Sequence, residues 1–135
     1  MKINKDKSLV NIAKQGVLLG NRALLCKLNK TGSLIGKFDF FWEYFFNNVI
    51  TSYFPGVPVV LLGKEAKELK KYIFNLNNPV FELLHPSFSA RNRMTWDTKK
   101  TFSKVNKMIE LNNGKEFCID WNGKISKIEE ETVPF

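Results

Sequence analysis

Cysteine, histidine and acidic side chains are scarce in this sequence, and each shortage closes off a class of chemistry. Cys26 and Cys118 are the only cysteines, too few and too far apart for a disulfide framework or a sulfur-rich metal site; they read as two buried or half-buried thiols. His85 is the one histidine, which removes zinc sites built from several imidazoles, and neither a metal nor a cofactor is expected. Apolar runs such as 17–19 and 57–62 fall far short of the ~20 residues of a membrane-crossing helix. The first ten residues are too polar for the apolar stretch of a secretory signal. The expectation is a soluble chain that is not secreted. No internal repeat, low-complexity segment or interdomain linker breaks the 135 residues, so 1–135 reads as a single domain.

Apolar side chains are plentiful, at 44% of the sequence. A chain of this length buries roughly two-thirds of its unfolded surface, enough for a core without covalent staples. Basic residues number 21 against 13 acidic ones, a formal charge of +8. Such an excess favours contact with a polyanion, because Lys and Arg displace condensed counterions from phosphate. The same enrichment in Lys, Asn, Phe and Ile follows from AT-rich coding, so charge alone does not select nucleic acid.

Three short apolar runs read as strands: Gly16 to Gly20, ending at Asn21; Pro58 to Leu62, ending at Gly63; and Pro79 to Leu84, ending at His85. Unbroken apolar character implies burial on both faces, as in a parallel sheet covered by helices. Helical periods separate the runs. From Phe38 to Tyr53, bulky residues at 38, 41, 42, 45, 46, 49 and 53 form a stripe opposite Asp39, Glu43 and Asn47, and Phe54-Pro55-Gly56 stops the helix. Lys64 to Phe74 places Ala66, Leu69 and Ile73 on one side. A third helix, capped by Asp97 and running to about Leu111, buries Phe102, Val105 and Ile109 and ends at Asn112-Asn113-Gly114. The alternation predicts an α/β fold, a three-layer αβα arrangement with a short, mainly parallel sheet and ligands beyond the carboxyl ends of the strands. Residues 117–128, with Asn122-Gly123 at the centre, have the pattern of a hairpin. Glu129 to Glu131 read as a solvated end.

Strand ends in such a fold converge on one crevice, so Asn21 and His85 can address one small planar ligand. An amide offers one acceptor and two donors, which matches a pyrimidine's Watson–Crick edge, and a neutral imidazole can donate to a carbonyl oxygen that gains negative charge. Read singly, an Asn after a strand is a turn residue and a lone His is a satisfied polar group.

Several pieces carry a resemblance: Gln15 to Asn21; Trp42 and Phe45 to Ile50; Val59 to Gly63; His85-Pro86-Ser87; Phe102 to Asn106; and Ile119-Asp120-Trp121. In order and spacing they resemble the second half of the uracil-DNA glycosylase superfamily over residues 8–122, with 123–135 as a tail. The resemblance implies a reduced fold of that family. It implies that Asn21 reads the edge of a flipped-out uracil and that His85 is the catalytic electrophile, staying neutral while it stabilises the departing uracil anion. Ser87 and the loop after it match the segment that clamps the DNA backbone and wedges a side chain into the vacated stack. Phe88 stands where a leucine wedge is usual, and a buried loop anchor is the other reading of it. DNA is the implied partner, in the cytoplasm or near the nucleoid or nucleus.

One departure bears on activity. The family's first motif, a Gly-Gln-Asp-Pro-Tyr-His run that supplies the water-activating aspartate and a wall of the base pocket, has no counterpart here. A missing general base costs a factor of about 10² to 10⁴. The family's strand in that region lies centrally in the sheet, and removing it leaves backbone groups to be paired in some other way. Three closures are open: direct pairing of Val17–Gly20 with Val59–Leu62, insertion of 117–128, or strand addition from a protein partner or second copy. Arg91 and Arg93, followed by Lys99, Lys100, Lys104 and Lys107, are candidates for phosphate contact. The lysines equally suit an ordinary solvated helix face. Trp96 and Trp121 can stack on bases, or serve as core and partner contacts.

Overall fold

A computed structural model of the chain describes residues 9–25, 27–30, 32–73 and 77–122. Two of the three expected strands form. β1 (Val59–Leu62) and β2 (Val80–Leu83) run parallel, with Val59 opposite Val80 and Leu62 opposite Leu83. Both carry β-branched and bulky apolar residues, and the buried Leu61 and Leu83 point into the interior. The crossover between them is helical, with α4 (Gly63–Lys67) leading into a 3₁₀ turn at Glu68–Tyr72. It buries Leu69 and Ile73 on the expected side. The fold class is α/β, built on a short parallel sheet.

Val17–Gly20 is not a strand. A strand exists only through the ladder that satisfies its peptide groups. Here the Val17 N–H donates instead to the Ile12 carbonyl (3.2 Å), closing the end of α1 (Val10–Lys14). The expected burial on both faces fails with it: Leu18 is 73% exposed and Leu19 50%. Direct pairing of this segment with β1 is therefore not how the sheet is closed.

The long helical stretch begins as α2 (Asp39–Tyr44), widens to a π-helix over Phe45–Ile50 and ends as α3 (Thr51–Tyr53). The Thr51 hydroxyl donates to the Phe46 carbonyl five residues back (3.0 Å), which suits the wider turn. Trp42, Phe46 and Ile50 reach the core and pack with Leu61, Leu69 and Ile73. Asp39 lies in that same line and is buried, not on the solvent side. Seven residues make nearly two turns, so positions 39 and 46 share a face.

α6 (Thr101–Asn113) buries Thr101 and Val105 and stops at Gly114, whose φ of 111° suits glycine. Asp97 does not cap it. Its carboxylate accepts the Lys99 N–H (2.9 Å) in a turn ahead of the helix, and Lys100 occupies the cap position without a side-chain bond.

The described arm of the expected hairpin also forms no ladder, since Lys115–Phe117 is a 3₁₀ turn; residues 123–128 lie outside the described residues. Side-chain amides take the place of a neighbouring strand. Asn106 receives the Ile119 N–H and donates to the Ile119 carbonyl, both at 2.7 Å. Gln15 does the same for Asp120, at 2.7 and 3.0 Å. Cys118 is a free, half-buried thiol, and Cys26 lies outside the described residues. Among the described residues, no helix is long and apolar enough to cross a membrane.

Candidate functional site

β2 runs out at Leu83, and His85 follows in extended backbone as the cap of α5 (Pro86–Arg91), with proline at the first helical position. The His85 Nδ1 accepts the Ser87 backbone N–H (3.1 Å) and lies 2.6 Å from the Ser87 hydroxyl. A peptide N–H can only donate, so the neutral tautomer that fits this bond has Nδ1 as acceptor and the ring proton on Nε2. The ring is exposed. Two contacts fix the backbone beneath it. The Trp96 indole donates to the Leu84 carbonyl (2.8 Å), and Gly63 lies so close that a Cβ there would sit 2.9 Å from the His85 Cβ. His85 therefore rests against the carboxyl end of β1.

Asn21 is exposed, and both neighbours in sequence are tied down on Trp42. A Cβ on Gly20 would come within 2.6 Å of the indole ring, and the indole N–H donates to the Arg22 carbonyl (3.1 Å). The Arg22 side chain, only 8% exposed, forms a fork with Asp39 at 2.9 and 2.8 Å. It also reaches Glu68 at 2.7 Å and Glu65 at 3.1 Å. Tyr72 donates its hydroxyl to the same Asp39 carboxylate (3.2 Å). The Arg22 fork lowers the Asp39 pKa below the ordinary carboxylate range, against the opposing effect of burial. The same bonds, Asp39's first, raise that of the guanidinium.

Asn21 and His85 are thus carried by segments that meet on one element. Arg22 grips Glu65 of α4, and α4 begins at Gly63, against which His85 packs. The other expected site residues follow from His85. Ser87, Phe88 and Arg91 lie on α5 rather than in a loop, because His85 and Pro86 start a helix there. Phe88 is 43% exposed. Arg91 and Arg93 are both exposed, with Arg93 in left-handed backbone just past the helix. A shallow depression is lined by residues 95–100, including Lys99 and Lys100. Trp96 and Trp121 both pack on Phe102.

Sequence reading missed Arg22, Asp39 and the role of Trp96. A signal existed for Asp39: an acid in line with Phe46 on an apolar helix face needs a buried cation. Trp96 had no such signal, because its partner is a backbone carbonyl.

No family model matches the chain. Curated relatives do. A protein of Mycoplasmopsis pulmonis named uracil-DNA glycosylase is 36% identical over 122 residues, covering 87% of this chain and 52% of that protein. Proteins of the same name from Bacillus cytotoxicus and Bacillus thuringiensis are 37% and 35% identical over 116 residues, 84% of this chain and 49% of each. The chain is a partial relative of the uracil-DNA glycosylases. It spans about half the length of the curated glycosylases it matches. Asn21 and His85 are both exposed, and a stretch rich in basic and aromatic residues follows His85 in sequence.

Proposed function

We propose that this chain recognises an extrahelical uracil in DNA, as one domain over 1–135. Asn21 reads the base: its amide accepts one bond from the Watson–Crick edge and donates another. His85 is the catalytic electrophile. As the N-glycosidic bond breaks, the bonding electron pair passes to the base, and Nε2–H donates to the carbonyl oxygen that gathers the charge. Ser87, Phe88, Arg91 and Arg93 contact the DNA around the extruded nucleotide, which the enzyme must take out of the stack to reach its bond. The observation that supports this reading is the meeting at α4, where Arg22, the residue after Asn21, pairs with Glu65 and His85 packs on Gly63. A cytoplasmic or nucleoid location accords with this role.

Hydrolysis is weak in this chain alone, or depends on a segment that supplies the water-activating carboxylate and a strand beside Val17–Gly20. The exposed Leu18 and Leu19 support that second form. The test is to incubate the chain with uracil-containing single-stranded DNA, with and without the amino-terminal half of a curated relative, and to measure both abasic sites and binding. Uracil-containing DNA is expected to bind more tightly than its thymine counterpart, and Asn21→Ala with His85→Ala to remove the difference. Neither abasic sites nor uracil preference in any arm overturns the reading.

The exposed basic surface around α5 and α6 favours one other reading, a non-catalytic DNA-binding, adaptor or competitor module. It requires salt-dependent binding that is indifferent to uracil and unchanged in the double variant.

A further inference from the structure

We infer that Arg22 is a positioning residue for Asn21, replacing with an ion cluster built on its buried guanidinium the sheet ladder that this segment lacks; the functional part of the inference rests on the reading of Asn21 as the base-reading amide. A residue at the end of a strand is normally held by hydrogen bonds to the neighbouring strand. Leu18–Gly20 have no such bonds among the described residues, yet the residues on either side of Asn21 are fixed. Gly20 lies against the Trp42 indole, and the Arg22 carbonyl takes the indole N–H. Those two contacts reach only one neighbouring element. The guanidinium reaches two: Asp39 at the start of α2, and Glu65 and Glu68 on the crossover helix after β1.

The chemistry of the guanidinium matters here. Its planar fork meets both Asp39 oxygens while its remaining nitrogen spans Glu65 and Glu68. An ammonium group is a compact point charge and cannot hold this geometry. Because α4 begins against His85, the Glu65 pairing also sets the base-reading amide relative to the imidazole. A displacement of about 1 Å in such a pair is enough to cost 10²-fold in rate.

The test uses the whole chain. Arg22→Lys keeps the charge and removes the fork. The backbone and side-chain amides of Asn21 are followed by heteronuclear NOE, and affinity is measured for uracil-containing and uracil-free single-stranded DNA. Ile50→Val, a core truncation away from the cluster, controls for general destabilisation. In Arg22→Lys the Asn21 NOE is expected to fall to the values of a free loop and uracil preference to drop at least tenfold. Affinity for uracil-free DNA should stay within twofold, and Ile50→Val should leave all three readings near wild type. A folded Arg22→Lys protein with an ordered Asn21, or with undiminished uracil preference, overturns the inference. If Asn21 loosens while the wild type shows no uracil preference, the positioning role stands and the uracil reading fails. Should Arg22→Lys not fold, Glu65→Gln and Glu68→Gln spare the Asp39 pair; together they are expected to lower Asn21 order and uracil preference by a few-fold, and no change in either overturns the inference.

Discussion

Gly63 holds a conformation and a space that no other residue fits. Its φ of 82° is left-handed backbone, and the missing Cβ is what lets His85 approach. A non-glycine residue in such backbone costs about 1–3 kcal/mol, and the 2.9 Å contact forces one of the two segments to move. Gly63→Ala should therefore lower the urea midpoint and shift the His85 ring resonances, whereas an unmoved His85 spectrum would show that the contact does not set the ring. Asp39 behaves differently, because its effect depends on pH. Its folded pKa lies below the ordinary 3.8, so the paired carboxylate contributes stability that is present above that value. The contribution disappears as pH falls through the folded pKa. Replacing Asp39 by Asn removes a charged acceptor from Arg22, at about 1.5–3 kcal/mol near neutral pH. The gap between wild type and Asp39→Asn, followed by thermal unfolding from pH 7 downward, should be steady to about pH 5 and close below pH 4. A gap that widens in acid would contradict the assignment.

At the level of elements, side-chain amides do work that strands do in larger sheets. Asn106 and Gln15 each present a donor and an acceptor to one backbone residue, the pattern of a hydrogen-bonded strand neighbour. Asn78, itself buried, takes the Phe54 and Val57 carbonyls at 3.1 and 2.8 Å and closes the turn before β1. Asn106→Ala strands two peptide groups of the buried Ile119, each costing about 1–3 kcal/mol when left without a partner. It should loosen residues 118–121 in hydrogen exchange before it affects β1 and β2; equal loss everywhere would mean that this clasp is part of the global core. This substitution of amides for ladders also explains which elements were legible in the sequence. Val59–Leu62, Val80–Leu83 and the helices over 39–53, 63–72 and 101–113 follow from local patterning, because each buries its own apolar face against a neighbour present in the chain. Val17–Gly20 and Phe117–Trp121 have equally apolar or alternating patterns, but a strand needs a partner as well as a pattern, and among the described residues neither segment pairs in a ladder. Asn21 and His85 were legible as candidates because they follow apolar runs. Arg22 was not, since its meaning lies in three carboxylates 17 to 46 residues away.

For the whole molecule, the open question is where +8 of charge acts. The acidic side chains are not evenly spread: Asp39, Glu65 and Glu68 are engaged by Arg22. The stretch from Arg91 to Lys107 holds Arg91, Arg93, Lys99, Lys100, Lys104 and Lys107 against Asp97 alone, and all of these basic residues are exposed. Under the proposed function, this run of exposed cations is the surface that would meet the DNA backbone. Counterion release makes this measurable, because each phosphate neutralised on single-stranded DNA contributes about −0.7 to the slope of log affinity against log salt. If Arg91 and Arg93 each meet a phosphate, Arg91→Ala with Arg93→Ala should reduce the magnitude of that slope by about 1.4. The matched pair Lys104→Ala with Lys107→Ala removes the same charge from the helix face. A solvated face predicts little change in slope, and an extended DNA track predicts the same 1.4 as the arginine pair. Titrating all three proteins against uracil-free single-stranded DNA at several salt concentrations separates these cases. Equal, small effects from both pairs would place the contact surface away from α5 and detach the basic cluster from the His85 site.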